Sequence, residues 1–424
     1  MRLILYSWQA NNEQVLADNL IKLGFEVVWF RKECRHYTRD MELAMEMIQY
    51  IHAQAAEAVL SFNYFPIISM ICRTCGIPYY AWVYDCPHFT LYAKQINDAC
   101  NHIGIFDREM VRQLEGYGVR TAYHVPLSAD SAYFEDVIAR ASRAEREKYR
   151  CDVSFVGSLY TDEHNYYELL FSGGESVGQA DQTGEVNRLE HESSSPAKGN
   201  GMAAAIMRQC FSYEEDYLRQ AVESGGIDLK RIQESMEQQG LMLGEDYFAR
   251  PEDILLTAVL EKKVTVEERR QLLTALATLA TVQSADMLNL DFRLYTGSVT
   301  KGLPTLDACN HGTVDYHTQM PLVFAGSRIN LNISLRSIHS GIPLRVLDIM
   351  ACGGFVLSNR QTEITEYFKE GVEIVTFGSM EECIDKVHYY LSHEEERRQI
   401  AEAGQRKVKN GFSYETGLAR LFEV

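Results

Sequence analysis

One rhythm constrains this chain more than any other feature: a short apolar run, a polar loop, a helical pattern, a glycine, and another apolar run. Arg2–Tyr6 is strand-like, and the loop Ser7-Trp8-Gln9-Ala10-Asn11-Asn12 follows it. Val15, Leu16, Leu20 and Leu23 then fall at helical spacing, and Gly24 precedes the next apolar run, Phe25–Phe30. A glycine there suits a left-handed helix C-cap. The unit is β-loop-α-β, the seed of a parallel sheet. It repeats with a helix near Met41–Glu57, a strand at Ala58–Phe62, a helix at Pro66–Cys75 and a strand at Tyr79–Tyr84. A further β/α unit lies around Asn101–Gly116, and a strand around Ala122–Val125.

The rhythm then stops and restarts. Residues 128–150 are charged and helical and read as a connector, and Asp152–Val156 opens a second α/β region. Strand signals return at Phe292–Tyr295, Arg328–Ile333, Phe355–Leu357 and Glu373–Thr376. The fold class expected is therefore α/β, with two Rossmann-like domains facing a cleft. The first spans 1–127 on the acceptor side. The second spans 151–410 and ends in a tail, 411–424, expected to cross back toward the first. Residues 172–201 are rich in Gly, Ser, Glu and Gln and read as a disordered or mobile loop. Residues 202–290 are helical, an insertion in the second domain.

Charge narrows the partners. A formal net charge of −18 disfavours a nucleic-acid backbone or an anionic membrane. It also means that an anionic ligand needs a local island of positive charge. No segment approaches the roughly 18 apolar residues of a membrane span. The N-terminus reads as a strand and not as a signal peptide. The ten cysteines show no even ladder of spacings, so a reducing cytoplasm is expected.

The most informative stretch runs from Arg328 to Phe368. A buried strand, Ile329–Ile333, leads through Ser337-Ile338-His339-Ser340-Gly341-Ile342-Pro343 into a helix that begins at Leu344 and closes at Cys352-Gly353-Gly354. A glycine turn and a proline just before a helix leave free N–H groups at its start, a site for phosphate. Ligands of open α/β sheets bind at the carboxyl ends of the strands, where this loop lies. Asp348 can accept hydrogen bonds from a ribose diol, while Arg345 and Arg336 are candidates to neutralise a diphosphate, with Lys301 as a further cation. Strand–loop–helix is common, and Asp348 read alone could equally be a solvated first-turn acid.

This run resembles the C-terminal signature of the CgeB-type (spore-maturation-protein-like) glycosyltransferases. The matching residues are Ile329-Asn330-Leu331-Asn332-Ile333, Ser340–Asp348 and Cys352-Gly353-Gly354-Phe355, with Val314-Asp315-Tyr316 upstream and Tyr389-Tyr390-Leu391 and Glu396-Arg397 downstream. Trp82–Pro87 and Phe155–Tyr160 are similar to the domain that usually precedes that signature. The resemblance implies the GT-B architecture and transfer of a sugar from a nucleotide-diphosphate donor to a protein, cell-surface or spore-coat glycan acceptor. It puts Gly157, Ser158, Tyr316, Arg336, Ser340, Gly341, Arg345 and Asp348 around the donor. Related GT-B enzymes carry two Glu eight residues apart here. Asp348 takes the place of the second, and Ser340 that of the first. The cations such enzymes carry after the first strand of the C-terminal domain are missing from Gly157-Ser158-Leu159-Tyr160-Thr161.

Four further readings complete the expectation. Tyr316 is a candidate to stack on a nucleobase, although packing is the commoner use of a tyrosine in a chain that has 24. Asp85 and His88, at the end of Tyr79–Tyr84, are candidates to deprotonate an acceptor hydroxyl, against a capping role for Asp85. Cys72-Arg73-Thr74-Cys75 reads as buried thiols on an apolar helix face rather than as zinc ligands. No D-x-D occurs, which suits a reaction without metal, and no cofactor is expected beyond the nucleotide-sugar co-substrate. An epimerase of the same architecture and a non-catalytic binding module are the alternatives.

Overall fold

The computed structural model describes residues 1–161, 166–171, 196–213, 215–224, 228–238, 244–281, 290–300 and 302–422. Eleven strands form two sheets, each wholly parallel. The first contains β1 (Arg2–Ser7), β2 (Glu26–Arg31), β3 (Ala58–Phe62), β4 (Tyr79–Val83), β5 (Asn101–Ile105) and β6 (Ala122–His124) in the order β2-β1-β3-β4-β5-β6. The second contains β7 (Cys151–Val156), β8 (Phe292–Tyr295), β9 (Ser327–Asn332), β10 (Val356–Asn359) and β11 (Val375–Phe377) in the order β11-β10-β9-β7-β8. In both sheets the chain starts in the interior, steps to one side, and then works outward on the other. The reversal points lie between β1 and β3 and between β7 and β9, and such points open a crevice at the carboxyl ends of the strands.

Strands buried on both faces explain the near-continuous apolar runs that mark them in the sequence. β3 and β4 are buried almost end to end. Gly24 takes φ +89°, and its N–H and that of Phe25 close the helix Glu13–Lys22 on Ile21 O and Leu20 O.

Three features tie the halves together. A shared core joins Phe106, Leu127 and Phe134 to Val156, Val346 and Leu347. The segment just before the helix Pro251–Ile254 reaches the first half: Tyr247 bridges Ala93, and the N–H of Phe248 donates to Tyr92 O at 2.9 Å. The last helix, Tyr414–Phe422, covers the outer face of the first sheet with Tyr414, Leu418 and Leu421 against Leu5, Leu60, Trp82 and Val125. Tyr123 OH donates to Leu421 O at 2.6 Å.

The connector forms two helices, Ser131–Arg140 and Arg143–Lys148, the second with a Ser142/Glu145 capping box. Of the expected loop 172–201, residues 172–195 lie outside the described residues, as does Lys301. Pro196 already opens a helix, Pro196–Gln209, so the loop boundary at 201 is too late. Among the described residues no helix is long and apolar enough to cross a membrane.

Candidate functional site

The crevice of the second sheet is framed by two turns, Gly157–Thr161 after β7 and Ile333–Pro343 after β9. Both are held by side chains. Leu159 N–H donates to Ser298 Oγ at 2.8 Å, and Ser334 N–H to Asn359 Oδ1 at 2.7 Å. The second turn ends at Pro343, which caps the helix Leu344–Ala351 in an extended conformation.

That turn does not face open solvent. A Cβ on Gly341 would meet Phe106 O at 2.8 Å, so glycine lets the β9 turn close on the first sheet. Ser340 is buried, with Oγ 2.8 Å from Asp107 Oδ1 and 2.7 Å from Glu363 Oε1. Asp107 Oδ2 accepts from His339 N–H at 2.6 Å, and Glu363 pairs with His124 at 2.7 Å. The hydroxyl at position 340 is thus flanked by two carboxylates from elsewhere in the chain. Neither Asp107 nor Glu363 stands out in the sequence as a partner of this loop.

Asp348 is buried at the first turns of the helix Leu344–Ala351. Its Oδ1 accepts from Tyr316 OH at 3.0 Å. Its Oδ2 has no hydrogen-bond partner and lies 3.6 Å from Arg345 Nη1. Burial pushes its carboxyl pKa up to about 6, with Arg345 and the Tyr316 hydroxyl pulling the other way. Asn12, from the loop after β1, reaches across with Nδ2 donating to Tyr84 OH at 2.9 Å and to Tyr316 OH at 3.1 Å. Tyr316 is therefore a hydrogen-bonding link between the two halves. Its ring meets Phe134 and His317 edge-on, at 6.1 and 5.1 Å between centroids, which leaves it less free to stack on a base than the sequence suggests.

Arg345 is part-exposed, with its guanidinium 5.4 Å over the Phe324 ring and its nearest carboxylate on Asp348. Arg336 is a different case. It pairs with the buried Glu268, donates to the carbonyls of Ser212 and Gln209 at 3.0 Å each, and lies 4.0 Å over the Tyr213 ring. Its charge is already matched, so it is not the free countercharge expected of it. His339 pairs with Glu261 at 2.9 Å, and that carboxylate raises its pKa to about 9 despite burial.

The turn after β7 carries no cation of its own, yet cations stand beside it. Arg269, on the helix Glu261–Thr281, donates to Ser158 O and Ile333 O, and its guanidinium sits 4.9 Å from the Tyr160 ring centroid. Lys262 Nζ lies 5.5 Å from the same ring. Sequence reading missed both because they lie in a helical stretch with no local motif.

On the first sheet, Asp85 is exposed at the end of β4 and accepts from Asn63 Nδ2 at 2.7 Å. His88 does not join it at the surface. Its Nε2 is 2.6 Å from Thr90 Oγ1 and 3.1 Å from Tyr64 O, and burial lowers its pKa so that it is held neutral. Of the two candidate bases Asp85 is the exposed one, and His88 is part-buried with its ring nitrogen engaged by Thr90 and Tyr64. Cys72 is fully buried among Ile67, Ile68 and Ile71.

Residues 269–423 match the family model described as glycosyl transferase-like. No curated protein matches the chain. Solved structures of Alr3699/HepE from Anabaena share its fold along its whole length. The complex with UDP gives a TM-score of 0.51 at 10% identity, covering 100% of this chain and 98% of that one. The complexes with UDP-glucose and with UDP and glucose each give 0.50 at 9% identity, with the same coverage. At such identity the likeness is one of fold, and that fold is GT-B.

Proposed function

We propose that this chain is a glycosyltransferase that binds a nucleotide-diphosphate sugar at the carboxyl ends of β7 and β9 and passes the sugar to a glycan or protein acceptor, without a metal. The observation that carries the reading is Asp348. A buried carboxylate with one oxygen unpartnered is costly unless something completes it. It stands at the start of a helix, beside an arginine and a strand-order reversal, where the hydroxyls of a ribose fit as donors. The family match over residues 269–423 and the UDP and UDP-glucose held by Alr3699/HepE, a protein of the same fold, support a nucleotide sugar as the ligand.

In this reading the helix N-terminus contributes about half a unit charge toward the diphosphate, and Arg345 adds a full one. Asp85 is the group placed to take a proton from an acceptor hydroxyl, and His88 acts as a part-buried brace. Hydrogen bonds to charged groups contribute about 1.5–3 kcal/mol. Arg345→Ala is therefore expected to weaken nucleoside-diphosphate binding roughly ten- to a hundredfold, and Asp348→Asn, which keeps an acceptor, less. Calorimetric titration of UDP, GDP, ADP and dTDP measures both. Unchanged affinity in Arg345→Ala, with lowered stability, would make Arg345 a structural residue only.

One observation favours a second reading, a non-catalytic nucleotide-sugar-binding module: position 340 holds a buried serine between Asp107 and Glu363 and presents no acid to a donor sugar. Binding of a donor with neither transfer nor hydrolysis, across a panel of acceptors, would select it.

A further inference from the structure

Most cations near the crevice of the second sheet have a carboxylate partner. Arg336 has Glu268, His339 has Glu261, and Lys263 has Glu168 and Glu267. Two do not. Among the described residues no carboxylate forms an ion pair with Arg269 or Lys262. Arg269 is buried, donates to the carbonyls of Ser158 and Ile333, lies against Tyr160 with Glu268 only at longer range, and has no hydrogen-bond partner for Nε. Those two carbonyls belong to the turns after β7 and β9, so the guanidinium spans the reversal point of the sheet. Lys262, about two helical turns earlier on the same helix, holds its ammonium 5.5 Å from the Tyr160 ring centroid. In a chain of net charge −18, two cations outside any ion pair beside one crevice form the positive island that an anion requires. Burying a charge with no counter-ion is costly, and the cost is relieved when an anion completes the site.

We infer that Lys262 and Arg269 hold the diphosphate of the donor. Lys262 makes the direct contact above Tyr160. Arg269 acts from beneath, as a fixed charge in a low-dielectric setting and as the positioning residue that orients the Gly157–Tyr160 turn through the Ser158 carbonyl. The cations absent from the turn after β7 are thus supplied by the helix Glu261–Thr281. The assignment rests on the nucleotide-sugar reading above.

The test titrates UDP, GDP, ADP and dTDP, and the matching nucleosides, into the full chain and into Lys262→Met and Arg269→Lys. Loss of one charged contact predicts that Lys262→Met binds the preferred nucleoside diphosphate about tenfold more weakly, with nucleoside affinity unchanged and a shallower dependence on salt. Arg269→Lys keeps the charge but not the fork, and should weaken diphosphate binding without altering nucleoside binding. If it fails to fold, Lys262→Met alone decides. Equal diphosphate affinity in Lys262→Met and the unaltered chain overturns this assignment and leaves the donor reading intact. Failure of the unaltered chain to bind any nucleoside diphosphate overturns both.

Discussion

At the scale of single residues, two positions do more than their chemistry suggests. Gly341 is required for close approach and not for a left-handed turn, since a methyl group there has only the Phe106 carbonyl, the Phe106 ring and the Asp107 backbone to meet. Gly341→Ala should destabilise the chain by about 1–3 kcal/mol, as overpacking does, measured by urea unfolding. Asp348 has a folded-state pKa of about 6 against an ordinary value of 3.8. Between those values the folded chain holds more protons than the unfolded one, so this group lowers stability as pH rises from about 4 through 6. Asp348→Asn removes that term. The melting temperature of the variant relative to the unaltered chain should therefore climb between pH 4 and pH 7, and a constant difference would contradict it.

Among elements, the helix Glu261–Thr281 is the least legible from sequence and the most consequential. Periodicity marks it as helical, and Leu272, Leu273 and Leu276 do pack on the second sheet. Nothing local reveals that the first turns of this same face deliver Glu261, Lys262, Glu268 and Arg269 to the crevice. Arg336 and Glu268 are 68 residues apart in sequence, so matched charge there cannot be read from spacing. The strands and the loop Ser337–Pro343 were legible because apolar runs, Gly and Pro act within a few residues. Pro196 shows the opposite failure. Polar composition suggests a loop, while a proline is also a helix-start signal. Two tests belong to this scale. Glu268→Gln leaves a nearly buried guanidinium unpaired and should cost roughly 3–5 kcal/mol, more than the double change with Arg336→Met, in chemical denaturation. The His339–Glu261 pair has a pKa raised from 6.5 to about 9. Its stabilisation is complete below about 6.5 and is lost as pH rises through 9. Melting curves from pH 6 to pH 10 should show that loss, and His339→Asn should flatten it.

For the whole molecule, the last helix decides how the chain can be assembled. Gly417 leaves no room for a side chain: a Cβ would lie 2.2 Å from the Trp82 ring and 2.5 Å from Ser128 Oγ. Gly417→Val should therefore lift the helix Tyr414–Phe422 from the first sheet and lower the melting temperature by several degrees, roughly in line with 1–3 kcal/mol of overpacking. That packing has a temporal side. The face made by Leu3, Leu5, Leu60, Trp82 and Val125 is synthesised well before the helix Tyr414–Phe422 that covers it. Until that cover is made, Leu16, Ala17 and Leu20 of the helix Glu13–Lys22 shield only part of this face, and the rest stays open to water. This core is completed only after the second half has been made, and until then the first half is a natural client for a holding chaperone.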